Sequence, residues 1–135
     1  MTRSVQDVAL SIKRVQSRHH RTLDAALTSL GLSLVQWDAL RHLDRNPDAS
    51  LHDLAQLTFQ SDQAFGTLTQ RLTDRGLVER VPGPGRAVRL VMTDRGRDAL
   101  IRAAGVVDGV LAESFAGLTP RQVDQLGELV ERLLR

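Results

Sequence analysis

The stretch "VERVPGPGRAVRLVMT" (Val78–Thr93) stands out in a chain whose other segments have helical periodicity. Two short runs of strand character flank Pro82-Gly83-Pro84-Gly85. The prolines fix their φ angles and the glycines permit positive φ, so the spacing predicts a tight, stiff hairpin. Along the return strand Val88, Leu90 and Met92 fall on one face and Arg89 on the other. Arg86 follows the last glycine, with no acid between Glu79 and Asp94. An arginine without a local partner on a protruding loop suits a narrow, electronegative minor groove, the alternative being a solvated turn residue.

Upstream of the hairpin, apolar residues recur at three- and four-residue steps. Val5, Val8, Ile12, Val15, Leu23, Leu27 and Leu30 form one stripe, which Gly31 ends as a C-cap. Ser33 and Gln36 form a capping box that opens a second helix through Trp37, Leu40 and Leu43, stopping before Asn46-Pro47. Ser50 caps a short third helix, "TFQSD" breaks the pattern, and Ser61 caps a fourth that Gly76 ends. Downstream, Thr93 opens a long fifth helix through Leu100, Ile101, Ala104, Val107, Leu111 and Phe115. Thr119, Pro120 and Gln122 open a sixth. Four helices, a hairpin and two helices, with a short helix–turn–helix before the hairpin, is the winged variant of helix-turn-helix. The expected fold class is therefore mainly α with a small β-hairpin. A winged lobe over residues 31–93 is joined to a helical dimerisation region formed by 1–30 and 94–135.

Composition narrows the function classes. The 135 residues are 41% hydrophobic and 25% charged, ordinary for a globular protein. No apolar run has the length of a membrane span, and the N-terminus lacks the apolar stretch of a signal peptide, so the expected location is cytoplasmic with no membrane partner. Without cysteine there is no disulfide framework or thiolate metal site. The net charge is only +2 and Lys13 is the only lysine. Distribution says more than net charge: Arg71, Arg75, Arg80, Arg86 and Arg89 cluster around the fourth helix and the hairpin.

On a helical wheel of the fourth helix, Phe65, Leu68 and Leu72 form the buried stripe. The opposite face holds Gln63, Gly66, Thr67, Gln70 and Asp74, flanked by Arg71. A face serving solubility alone would carry Glu and Lys at i,i+4. Here Gln can pair with adenine, Thr can touch a thymine methyl, and Gly lets the backbone approach closely. Asp74 counts against phosphate proximity but lies at the far end; the helix N-terminus suits a phosphate.

The sequence resembles the MarR family of bacterial transcription regulators. The matching residues run through "LGLSLVQWDALRHL" (Leu30–Leu43), "SLHDLAQLT", "LTQRLTDRGLVERV" (Leu68–Val81) and "RAVRLVMTDRG" (Arg86–Gly96). The resemblance implies a homodimer whose first, fifth and sixth helices intertwine, with two winged lobes on a pseudo-palindromic double-stranded operator. It further implies Gln63, Gly66, Thr67, Gln70 and Arg71 in the major groove, Arg86 in the minor groove, and Ser33, Ser50 and Ser61 near phosphates. Many relatives release DNA when a small aromatic or anionic effector binds. Two departures stand out. An Asp usually braces the wing arginine, and here Gly85 precedes Arg86, leaving the Pro-Gly backbone to aim it. Thr67 also stands where many relatives carry a cation.

Dimerisation follows from the residues as well. The stripes through Val5, Val8 and Ile12 and through Val123, Leu126, Val130 and Leu133 exceed what one small winged lobe can cover. For an effector, Arg18, His19 and Trp37 carry the suitable chemistry, although His19 also suits an interface and Trp37 the core. His20 and Asp24 are the only suggestive metal spacing, so neither metal nor cofactor is expected, and no catalytic motif is present. The expected function is a DNA-binding regulator, most simply a repressor. The competing expectations are an activator or ligand-independent regulator on the same scaffold, and a dimerisation protein without DNA binding.

Overall fold

The computed structural model describes residues 2–85 and 87–135; Arg86 lies outside the described residues. The element order is α1 (Val5–Thr28), α2 (Leu34–Arg45), α3 (Leu51–Leu57), α4 (Asp62–Asp74), β1 (Val78–Pro82), β2 (Val88–Met92), α5 (Asp94–Ser114) and α6 (Pro120–Leu133). None of the helices described is long and apolar enough to cross a membrane.

Local chemistry sets each boundary. Ser33, Ser50 and Thr119 form reciprocal capping boxes with Gln36, Asp53 and Gln122, while the Ser61 and Thr93 hydroxyls accept the N–H groups of Ala64 and Gly96. Gly31 and Gly76, at φ +72° and +71°, turn the chain out of α1 and α4 through the left-handed region that glycine enters without penalty. The first helix itself ends at Thr28, slightly before the expected stop. The turn from α3 to α4 makes the same kind of exit through Phe59, a bulky residue at φ +56°. Its ring is 95% exposed, so no burial offsets that strained backbone.

The core joins Leu40 and Leu43 of α2, Leu54 of α3, Phe65 and Leu72 of α4, and Val78 and Leu90 of the hairpin. Leu23 and Leu27 of α1 and Ala103 and Val107 of α5 close it from the other side. The buried face of α4 is the expected one with one addition, Thr69, whose hydroxyl donates to the Phe65 carbonyl at 2.8 Å. In α5 Val107 is buried and Leu100 and Leu111 pack on the core as expected, but Ala103 is buried in addition, while Ile101 and Ala104 face outward. No residue of α6 is buried, and its apolar side chains share an open groove with the outer half of α1.

The hairpin pairs Val78 with Met92 and Pro82 with Val88. Beyond it, the Gly83 N–H donates to the Ala87 carbonyl at 2.8 Å and the Ala87 N–H to that of Pro84 at 3.3 Å, which closes the loop. Of the two loop glycines only Gly85 takes positive φ, +66°. Gly83 is needed for a different reason: a Cβ there would lie 2.8 Å from Cγ of Arg89. On the return strand Leu90 is buried and Met92 packs on the core, but Val88, expected on that face, is exposed beside the loop.

Candidate nucleic-acid interface

A capped helix, a second helix after a four-residue turn and a projecting hairpin place α4 and the wing side by side on the lobe. Gln63, Thr67, Gln70 and Arg71 are exposed on α4 and Gly66 is half-buried, with open space where its Cβ would be. Ser50 and Ser61 are exposed at the N-termini of α3 and α4, each with its hydroxyl occupied by the cap. Ser33 caps α2 in a half-buried position, where Gln36 also accepts from Arg75 at 3.0 Å.

Two polar links cross this surface, and neither belongs to the sequence reading. Arg89 donates through one terminal nitrogen to the Pro47 carbonyl at 2.9 Å and to Asp48 Oδ1 at 2.6 Å. The return strand, one pair below the loop, is thus tied to the α2–α3 loop, so the hairpin is held by an ion pair as well as by its prolines and glycines. Gly83 leaves the space through which the Arg89 side chain runs. With the partners 41 positions apart in sequence, no local pattern announces the pair.

The second link is His52 of α3, whose Nδ1 meets Asp62 Oδ1 of α4 at 2.9 Å. The hydrogen bond and the attraction of Asp62 raise the His52 pKa above its ordinary 6.5; Asp53 adds to this, and slight desolvation opposes it. A raised folded-state pKa means that the link's stabilisation is complete below the ordinary value and is lost as pH rises through the raised one. Solvent screens the pair, so its effect is small. His52→Ala is accordingly expected to lower the urea midpoint slightly at pH 5.5 and to leave it unchanged at pH 9. An equal loss at both pH values would show that His52 acts through packing.

The residues singled out for sensing do not form one cluster. His19 Nε2 lies 2.6 Å from Ser114 Oγ and its ring stacks on Phe115 at 5.7 Å, so this histidine joins α1 to the end of α5. Arg18 and His19 line a cleft between those helices. Trp37 lies apart, facing a separate 360 Å³ cleft between α2 and α5, with Arg41 over its ring. Its indole N–H is buried with no partner among the described residues. Asp24 accepts the Leu34 N–H at 2.8 Å, and so serves the start of α2.

Against known proteins, a family model described as "MarR family" matches residues 30–87. The HTH-type transcriptional repressor Rv2887 of Mycobacterium tuberculosis is 34% identical over 113 residues, covering 82% of this chain and 81% of that relative. A crystal structure of the M. tuberculosis MarR family protein Rv2887 in complex with p-aminosalicylic acid superposes with a TM-score of 0.78 at 31% identity, covering 94% of this chain and 98% of that one. The fold is also that of a mutant MarR from E.coli complexed with operator DNA, at a TM-score of 0.87 and 22% identity over 96% of this chain and 94% of that one.

Proposed function

The chain belongs to the MarR family of winged helix-turn-helix transcription regulators, and from that premise we propose that it is a cytoplasmic homodimeric repressor of a pseudo-palindromic operator. Its role is then regulation and not catalysis. Residues 31–93 form the DNA-binding lobe, and residues 1–30 and 94–135 the dimerisation region. In this reading α4 enters the major groove with Gln63, Gly66, Thr67, Gln70 and Arg71. Arg86 reaches the minor groove, and Ser33, Ser50 and Ser61 lie beside phosphates. The observation that carries the reading is the exposed face of α4. It is amide- and hydroxyl-rich, has no Glu or Lys, and starts from an exposed helix N-terminus, capped by Ser61, beside a wing anchored by Arg89.

A small aromatic acid is the effector class this reading favours, because the similar Rv2887 has been crystallised with p-aminosalicylic acid and with salicylic acid. The clefts at Arg18 and His19 and at Trp37 are the places for it on this chain; each offers at least one arginine, and the Trp37 cleft adds apolar walls from Leu100, Val107 and Leu111.

Fluorescence anisotropy with the DNA upstream of the gene, titrated across salt concentrations, tests the assignment. Arg71→Ala and Arg86→Ala are each expected to weaken binding and to reduce the salt slope by about one. Unchanged affinity and slope for both variants would remove α4 and the wing from the interface.

A further inference from the structure

The amide of Gln70 is held one way round. Its Nε2 donates to Asp74 Oδ1 at 2.8 Å, one helical turn further along the exposed face of α4. The end torsion of a glutamine is otherwise broad and roughly two-fold, so an unrestrained amide offers its oxygen and nitrogen in either order. A carboxylate only accepts, and the amide oxygen therefore cannot take the nitrogen's place against Asp74. One N–H is engaged there; Oε1 and the second N–H remain. Three residues earlier, the Thr67 hydroxyl donates to the Gln63 carbonyl at 3.3 Å, which leaves its methyl group and oxygen lone pairs for an outside partner.

We infer that Asp74 is a specificity-determining positioning residue: by fixing the Gln70 amide it selects adenine over guanine at the base pair Gln70 meets. In the major groove adenine shows an N7 acceptor and an N6 donor, which match the remaining N–H and Oε1 of the held amide. Guanine shows two acceptors, N7 and O6. Meeting both takes both amide hydrogens, one of which is committed to Asp74, whose carboxylate also disfavours further acceptors nearby. The inference rests on the reading of α4 as the groove-facing helix. It assigns Asp74 a role that its charge alone, unfavourable near DNA, does not suggest.

The test compares the full-length wild type with Gln70→Ala, Asp74→Asn and Asp74→Ala by selection from randomised duplexes. Dissociation constants are then measured on duplexes differing at one base pair. The pair whose preference changes in Gln70→Ala defines the position. Asp74→Asn keeps the shape but lets the two amides bond either way round, freeing both Gln70 hydrogens; Asp74→Ala removes the acceptor. Both are expected to lower the adenine-over-guanine ratio at that position by about tenfold, with the other positions unaffected. In the Gln70→Ala background, Asp74→Asn is expected to change nothing further there. If Gln70→Ala shifts the preference and neither Asp74 variant does, the positioning role is overturned while the reading of α4 stands. If Gln70→Ala alters no position, the contact itself falls and the inference with it.

Discussion

Gly96→Ala is expected to destabilise the protein by about 2–4 kcal/mol, lowering its melting temperature by roughly 10 °C, although alanine is the better helix former. Gly96 sits in the first turn of α5, where its N–H is capped by the Thr93 hydroxyl at 3.0 Å. A Cβ on it would fall 2.0 Å from the Leu77 carbonyl oxygen and 2.9 Å from Cγ of Met92. The first of these is backbone, held by the 3.1 Å bond it accepts from the Thr93 N–H, so it cannot swing aside as a side chain could. The strand-to-helix junction must open instead, in the same segment that positions the wing. Gly66 provides the contrast, since open space surrounds its missing Cβ. Gly66→Ala is expected to raise stability by about 0.5–1 kcal/mol while weakening DNA binding, because the added methyl stands where the helix backbone approaches the groove. Thermal melts of the two variants check the opposite signs. A Gly96→Ala melt at or above the wild-type temperature would refute the close packing of α5 on Leu77, at the entry to β1.

The second large effect concerns assembly. Leu126→Asp with Val130→Asp is expected to convert the dimer to monomer at micromolar concentration and to weaken operator binding by about a hundredfold or more. Two linked lobes gain an avidity of that order over one lobe. The physical ground is an uncovered apolar surface. Val8, Ile12 and Val15 of α1 and Leu126 and Val130 of α6 line a groove of about 530 Å³, and Val5, Leu129 and Leu133 of the same helices are exposed. These side chains are about half exposed, so each, buried against a second copy, contributes about 1 kcal/mol, and together they offset much of a typical association cost. Aspartates in that contact bring unpaired charge into it. Sedimentation velocity together with binding titration reads both effects. The wild-type melting temperature should also rise with protein concentration, and that of the variant should not. An unchanged sedimentation coefficient in the variant would place the dimer contact elsewhere.

The hydrophobic periods, the Ser and Thr caps and the glycines made most of the fold legible in sequence, because each acts within a few residues of itself. Phe65, Leu68 and Leu72 lie on the buried face of α4, and Ser61 and Thr93 open the helices they were expected to open. What stayed hidden was long-range or steric. The Arg89–Asp48 tie joins segments that only the fold brings together, and the need for glycine at positions 83 and 96 comes from neighbours distant in sequence or across a turn. The separation of the sensing candidates is hidden for the same reason, since α1 and α2 carry His19 and Trp37 to different clefts. The Gln70–Asp74 pair was within reach, because i,i+4 is the spacing at which such side chains meet. Its meaning depended on which atom faces the carboxylate.

Selection of randomised double-stranded DNA by the purified full-length protein tests the central claim most directly. The expected product is an inverted repeat whose half-site centres lie about 10 base pairs apart, bound by two chains with an affinity that falls steeply as salt rises. A selected pool without an inverted repeat, or binding that does not respond to salt, would contradict a symmetric dimer reading DNA through α4 and its wing.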